Sequence, residues 1–249
     1  MDNIDTYYTQ NTHDYMRCTD SAFADFIFAS MTQVMGNEYR KCPNAIELGA
    51  GMGRFSFTLV EHFSRVWLIE PARAFARTLR EMFPQEHVSV VDTTADVFFA
   101  STPVPPGSIF FCFHLLHHLS RQQRSELFSF IRSTGSSAVF VDPNPWNPLL
   151  LVQPFFDKDM RFKEEMQYLR LTRRRLTREL ADSGMRVLAH APLCLLPPFA
   201  AMKALRRPDG AEKLLRFERA RHLLPFLGSY HFFYCASGAP EKACVSAVS

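Results

Sequence analysis

Three imidazoles fall within five positions in the segment Phe113-His114-Leu115-Leu116-His117-His118-Leu119. Imidazole is the side chain whose ordinary pKa lies nearest neutral, so such a cluster suits removal of a proton from a reacting group. His117 is the first candidate for that base and His114 the second, with His118 packed or hydrogen-bonded beside the substrate. A metal site is disfavoured, because His117 and His118 are adjacent and no acid lies near them in the chain. A second constellation is Glu47-Leu48-Gly49-Ala50-Gly51-Met52-Gly53. Glycines at alternate positions remove every Cβ where a bound molecule presses on the backbone, and a helix beyond them offers N–H groups and a partly positive end. A dinucleotide fingerprint in the G-x-G-x-x-G register needs glycine at position 54, where Arg54 stands. A third feature is Glu70, which ends the apolar run Val66-Trp67-Leu68-Ile69. A carboxylate there can accept two hydrogen bonds from a ribose diol.

Alternating strands and helices place these groups. Residues 44–50 read as a buried strand entering a glycine turn, followed by a helix over 54–64 and a second strand over 66–69. Pro71 suits a first helical position, and Phe75, Leu79, Met82 and Phe83 form one face of the next helix. Val88–Val91 and Ser108–Phe113 are the third and fourth strands. Ser120 with Gln123 makes a capping box for a helix that buries Leu127, Phe130 and Ile131, and Ala138–Val141 is the fifth strand. A helix over 172–184 leads to a sixth strand at 186–191, and 230–235 is the last. Five alternations imply a parallel sheet covered on both faces, with ligands bound beyond the carboxyl ends of the strands. Each candidate group above sits at such an end.

The pattern E-x-G-x-G-x-G after a first strand, complete at Glu47, Gly49, Gly51 and Gly53, resembles motif I of class I S-adenosylmethionine-dependent methyltransferases. The resemblance is close over roughly residues 40–143. It implies a doubly wound, mostly parallel seven-stranded α/β sheet closed by an antiparallel last strand, with helical lid additions. It implies S-adenosyl-L-methionine as cofactor, with the loop, Ala50 included, around its methionine part. Glu70 and Pro71 would lie at the ribose. Asp92-Thr93-Thr94-Ala95-Asp96 is similar to the adenine-side segment; Asp92 or Thr94 faces the adenine amino group and Ala95 makes a backbone contact. Phe113 and the histidines would lie near the transferable methyl. Asp142-Pro143-Asn144-Pro145 resembles a Glu-Pro-Asn-Pro turn of one branch of the family, with Asn144 and Trp146 as candidate walls of an acceptor pocket. The reaction implied is direct methyl displacement onto a small molecule.

Residues 1–40 and a stretch at about 146–170 fall outside the minimal fold and read as an N-terminal helical lid and a lid-like insertion on a domain spanning 41–249. Asp20 can cap a helix bearing Phe23, Phe26, Ile27, Met31 and Val34, and Tyr8 and Tyr15 are expected at the acceptor. With 249 residues, 47% hydrophobic and 21% charged, the chain can bury one sizeable core. A net charge of +3 does not suggest a nucleic-acid binder. The six cysteines form no C-x-x-C pair and, with an acidic polar N-terminus, fit a cytoplasmic protein rather than a zinc or disulfide framework. A basic run over 203–221 beside Leu195-Leu196-Pro197-Pro198-Phe199 reads as a solvated face, with contact to anionic lipid as the less expected alternative. Two rivals to the enzyme remain. One is a non-catalytic cofactor-binding or scaffolding protein. The other is an NAD(P)-dependent oxidoreductase, disfavoured by Arg54.

Overall fold

A computed structural model describes residues 21–148 and 169–237. Seven strands form one sheet: β1 (Asn44–Leu48), β2 (Arg65–Ile69), β3 (Val88–Val91), β4 (Ser108–Phe113), β5 (Ser137–Pro143), β6 (Met185–Leu193) and β7 (Tyr230–Ser237). Their spatial order is β3-β2-β1-β4-β5-β7-β6, with β7 antiparallel to both neighbours and the other ladders parallel. The order reverses between β1 and β4, and a crevice at such a switch point is where ligands bind in open α/β sheets.

The helices are α1 (Ser21–Met35), α2 (Ser56–His62), α3 (Arg73–Met82), α4 (Ala95–Ser101), α5 (Arg121–Ser133), α6 (Arg173–Asp182), α7 (Pro198–Leu205) and α8 (Gly210–Glu218). Side-chain alternation divides the core between two faces. On β4, Ile109, Phe111 and Phe113 face one layer while Phe110 and Cys112 face the other. The first layer takes in α1, whose Phe23, Phe26, Ile27 and Met31 are fully packed among sheet residues. The second is closed by α5 and α6 through Leu127, Phe128, Leu176 and Leu180.

Residues 21–35 form a helix packed into the first layer, with the stripe Phe23, Phe26, Ile27 and Met31 buried. Two local differences from the sequence expectation have physical causes. Pro71 does not open α3; the helix begins at Arg73, because Ala72 is extended at φ −79° and ψ 110°, with its N–H donated to Glu70 Oε1 at 2.9 Å. The helix after the glycine loop begins at Ser56 rather than Arg54, since Gly53 holds a φ of +78° that no helix continues. The capping box is present as read, with Ser120 and Gln123 bonding each other's backbone. Asp20, Tyr8, Tyr15 and most of the 146–170 insertion lie outside the described residues. No helix among the described residues is long and apolar enough to cross a membrane.

Candidate functional site

The glycine loop leaves β1 with Gly49, Gly51 and Gly53 all at positive φ, +70°, +56° and +78°. That region is open to glycine and strained for other residues. A Cβ on Gly53 would stand 2.9 Å from Leu79, so this glycine also permits close packing of the loop on α3. Gly51 has open space where its Cβ would be. The loop is fastened from within. Gly49 and Ala50 donate to the Ile69 carbonyl at 2.9 and 3.2 Å, and Gly53 donates to Ala50 at 2.9 Å.

Glu70 completes this bracing. Its Oε2 accepts the Gly51 N–H at 2.7 Å and its Oε1 the Ala72 N–H, so one buried carboxylate joins the ends of β1 and β2. Pro71 beside it is exposed. Glu47 lies deeper. Ser56 donates to its Oε2 at 2.6 Å, yet burial raises its pKa from 4.5 to about 8, with the Glu70 charge adding to the rise. The proton is therefore retained in the fold and lost from the unfolded chain over the range 4.5 to 8. Stability from this group is full at acid pH and falls as pH rises through that window. Thermal denaturation should show Glu47→Gln with a flatter fall in Tm between pH 5 and 8 than the native chain. Parallel curves would show that Glu47 ionises normally.

At the end of β3, Asp92 is exposed, with the Arg73 guanidinium 3.9 Å away, and Thr94 is the N-cap residue of α4, which starts at Ala95. At the end of β4, Phe113 stacks on Phe55 with ring centres 4.1 Å apart. His114 follows at a φ of +54°, unusual for a side-chain-bearing residue, and donates its N–H to Val141 at 2.7 Å. Its ring lies 4.6 Å from Tyr230, and Nε2 is buried with no hydrogen-bond partner among the described residues. Burial, with the Arg54 charge second, holds this imidazole well below its ordinary pKa and hence neutral.

His117 sits on a short 3-10 turn, Leu116–His118. Its Nδ1 is 2.6 Å from Asp142 Oδ1, which also accepts the His117 N–H at 3.2 Å. The acid thereby selects the tautomer with the proton on Nδ1 and leaves Nε2 as the basic nitrogen. The His118 ring lies 4.0 Å from that of His117, and the residue is exposed rather than packed. Sequence reading left Asp142 without a role. It is distant from His117 in the chain, and only the β4–β5 ladder brings the two together.

Arg124 and Glu179 were also missed. Arg124 Nε and Nη2 form a fork on Glu179 at 2.7 and 3.0 Å, while Nη1 donates to the Leu119 and Leu116 carbonyls at 2.5 and 3.3 Å. These carbonyls bracket the histidine turn, so α5 and α6 together hold it. Asn144 is fully buried; its Nδ2 donates to Gly228 at 2.8 Å and its Oδ1 accepts from Trp146 N at 3.0 Å, which leaves it joining two loops. Trp146 is 67% exposed.

The strand order, the antiparallel seventh strand and the braced loop at the switch point define the class I methyltransferase fold. Solved structures bear this out. A SAM-dependent methyltransferase from Archaeoglobus fulgidus matches with a TM-score of 0.56 and 17% identity, over 84% of this chain and 92% of that one. The plantazolicin methyltransferase BamL, solved with a triazolic desmethyl analogue and SAH, matches with a TM-score of 0.57 and 13% identity, over 94% of each chain. Geranyl diphosphate C-methyltransferase from Streptomyces coelicolor, solved with Mg2+, geranyl diphosphate and S-adenosyl-L-homocysteine, matches with a TM-score of 0.52 and 18% identity, over 88% and 77%. No family model and no curated protein sequence matches the chain.

Proposed function

We propose that the protein transfers a methyl group from S-adenosylmethionine to a small-molecule acceptor. The observation that carries this reading is the loop Glu47–Gly53 at the switch point, with three glycines at positive φ and a buried carboxylate tying it to the next strand. The open space above Gly51 accepts a close-lying ligand, and Glu70 retains lone pairs for ribose hydroxyls beyond those given to the backbone. Asp92, Thr94 and Ala95 stand one strand further out, where an adenine would reach, and Phe113 lines the inner end. Bound there, the cofactor supplies an electrophilic methyl on a positive sulfonium.

The protein's part is to hold the acceptor in line, exclude water and take up a proton. With the cofactor and acceptor bound, Nε2 of His117 would take up the acceptor's proton, and Asp142, 2.6 Å from Nδ1, would stabilise the resulting imidazolium. The neutral, partnerless Nε2 of His114 serves to hydrogen-bond the acceptor. The matched structures carry unlike acceptors, so the fold does not choose among oxygen, nitrogen and carbon.

Calorimetry tests the cofactor. S-adenosylhomocysteine should bind and NAD should not. Glu70→Ala should weaken that binding about tenfold to a hundredfold, since charged hydrogen bonds are worth roughly 1.5–3 kcal/mol and the loop loses its brace as well. An unchanged dissociation constant would place Glu70 outside the site. The near-complete burial of the His117 ring favours a second reading, a cofactor-binding scaffold without turnover. It predicts tight S-adenosylhomocysteine binding with no methylated product from any acceptor.

A further inference from the structure

Seven large hydrophobic side chains are exposed among the described residues, and five of them, Trp146, Phe199, Phe217, Leu223 and Phe226, gather on one unit. That unit is the β6–β7 connection, residues 194–229, with the turn bearing Trp146 stitched to it through Asn144. Phe199 is 70%, Leu223 69% and Phe226 52% exposed. The connection is not loosely held. Buried Glu218 accepts from the Cys194 and Leu195 N–H groups at 3.1 and 2.7 Å, and Arg221 donates to Ser30 O and to the Gln33 side chain at 3.0 and 2.8 Å. The rings are therefore presented to solvent by a fixed scaffold.

The same unit carries seven Lys or Arg against three acids, while the whole chain has a net charge of only +3. Lys213 and Arg216 are paired with Asp209 and Glu212, and Arg221 is buried. Lys203, Arg206, Arg207 and Arg219 have no ion-pair partner among the described residues. Phe199 and Lys203 fall four residues apart on α7, and Arg206, its C-cap residue, follows three further along the same face. A recess of about 290 Å³ between α7 and α8 is lined by Leu196, Ala204, Arg207, Asp209, Gly210, Lys213, Leu214 and Phe217.

We infer that this surface docks on an anionic lipid membrane. Free cations alone would suit any polyanion. Exposed phenylalanine and leucine interleaved with them select a partner with negative headgroups over an apolar interior. Because Trp146 follows directly on β5, the docked face lies beside the carboxyl ends of the strands and would offer the site acceptors dissolved in the membrane. The docking rests on exposed residues and does not depend on the methyl-transfer reading.

The test uses the full chain and sonicated vesicles of phosphatidylcholine, with and without about one-third phosphatidylglycerol. The protein should sediment with the anionic vesicles, weakly with neutral ones, and be released by 0.5 M NaCl. In a Trp67→Phe background Trp146 is the only tryptophan, and its emission should shift to the blue on binding. Reversing Lys203, Arg206 and Arg207 to Glu should lower partitioning at least on the order of a hundredfold, and Phe199→Ser with Phe226→Ser should abolish the blue shift. Circular dichroism and a thermal melt report whether each variant is folded, and the unsubstituted protein decides the matter alone if one is not. No sedimentation with anionic vesicles would overturn the inference. So would equal binding to an oligonucleotide without any blue shift on vesicles, which would mark a general polyanion surface.

Discussion

Asp142→Asn should lower turnover by about 10²–10⁴-fold while leaving S-adenosylhomocysteine affinity within about a factor of two. A positioned base contributes a rate factor of this size. The carboxylate at 2.6 Å keeps the His117 proton on Nδ1. An amide in its place can present N–H to Nδ1, which puts the ring proton on Nε2 and removes the base without removing the ring. The His117 backbone N–H bonds the same Oδ1 at 3.2 Å, so turning the amide nitrogen to Nδ1 costs that bond, and a denaturation midpoint for Asp142→Asn separates loss of the base from loss of fold. His117→Ala should match Asp142→Asn in turnover, and the double variant should be little worse than either, because the two act as a unit. The proposed cofactor contacts other than Phe113 lie at the ends of β1 to β3, away from both. The measurement is paired: product formation with the identified acceptor, and calorimetry with S-adenosylhomocysteine. Native turnover in both single variants would remove the dyad from catalysis and leave His114, or an acceptor already free of its proton.

The second large effect is on stability. Arg124→Ala should destabilise the protein by about 3–5 kcal/mol, the usual result of stripping one partner from a buried ion pair. Burial pushes the Glu179 carboxyl up, but its hydrogen bonds to Arg124 and Arg175 outweigh this and hold it below its ordinary pKa. Without Arg124 it keeps only the half-exposed Arg175. The Leu116 and Leu119 carbonyls lose their donor as well. Arg124→Lys keeps charge but not the fork, and should fall between the two. Arg124→Met combined with Glu179→Leu should recover much of the loss. Denaturant midpoints check all three, and a loss below about 1 kcal/mol in Arg124→Ala would show the pair to be incidental.

Much of this was legible in the chain because local rules and tertiary structure agree there. Glu47 to Gly53 announces a tight turn after a strand, since only glycine sits easily at three positive φ angles in five residues. The apolar runs of β1, β2 and β4 need no partner to be recognised, being buried on both faces. Roles that depend on long-range pairing were hidden. Asp142 reaches His117 across 25 residues, and Glu179 reaches Arg124 across 55. The bonds of Asn144 to the 225–228 loop span 81 and 84 residues, and no local pattern announces them. The stripe on α1 was legible as a buried face, but an amphipathic stripe does not say which layer buries it.

The bond from Arg221 to the carbonyl of Ser30 spans 191 positions. Ribosomal synthesis runs from the N-terminus, so α1 emerges long before the strands and helices that cover it. At about 5–20 residues per second, roughly 10–40 s separate the appearance of Phe23, Phe26 and Ile27 from that of Arg221. Throughout that interval α1 has α2 beside it but lacks the part of its native cover that comes from β6, α7 and α8. An apolar face left partly open for that long is the kind of surface chaperones hold, so folded yield should depend on them as well as on the finished core.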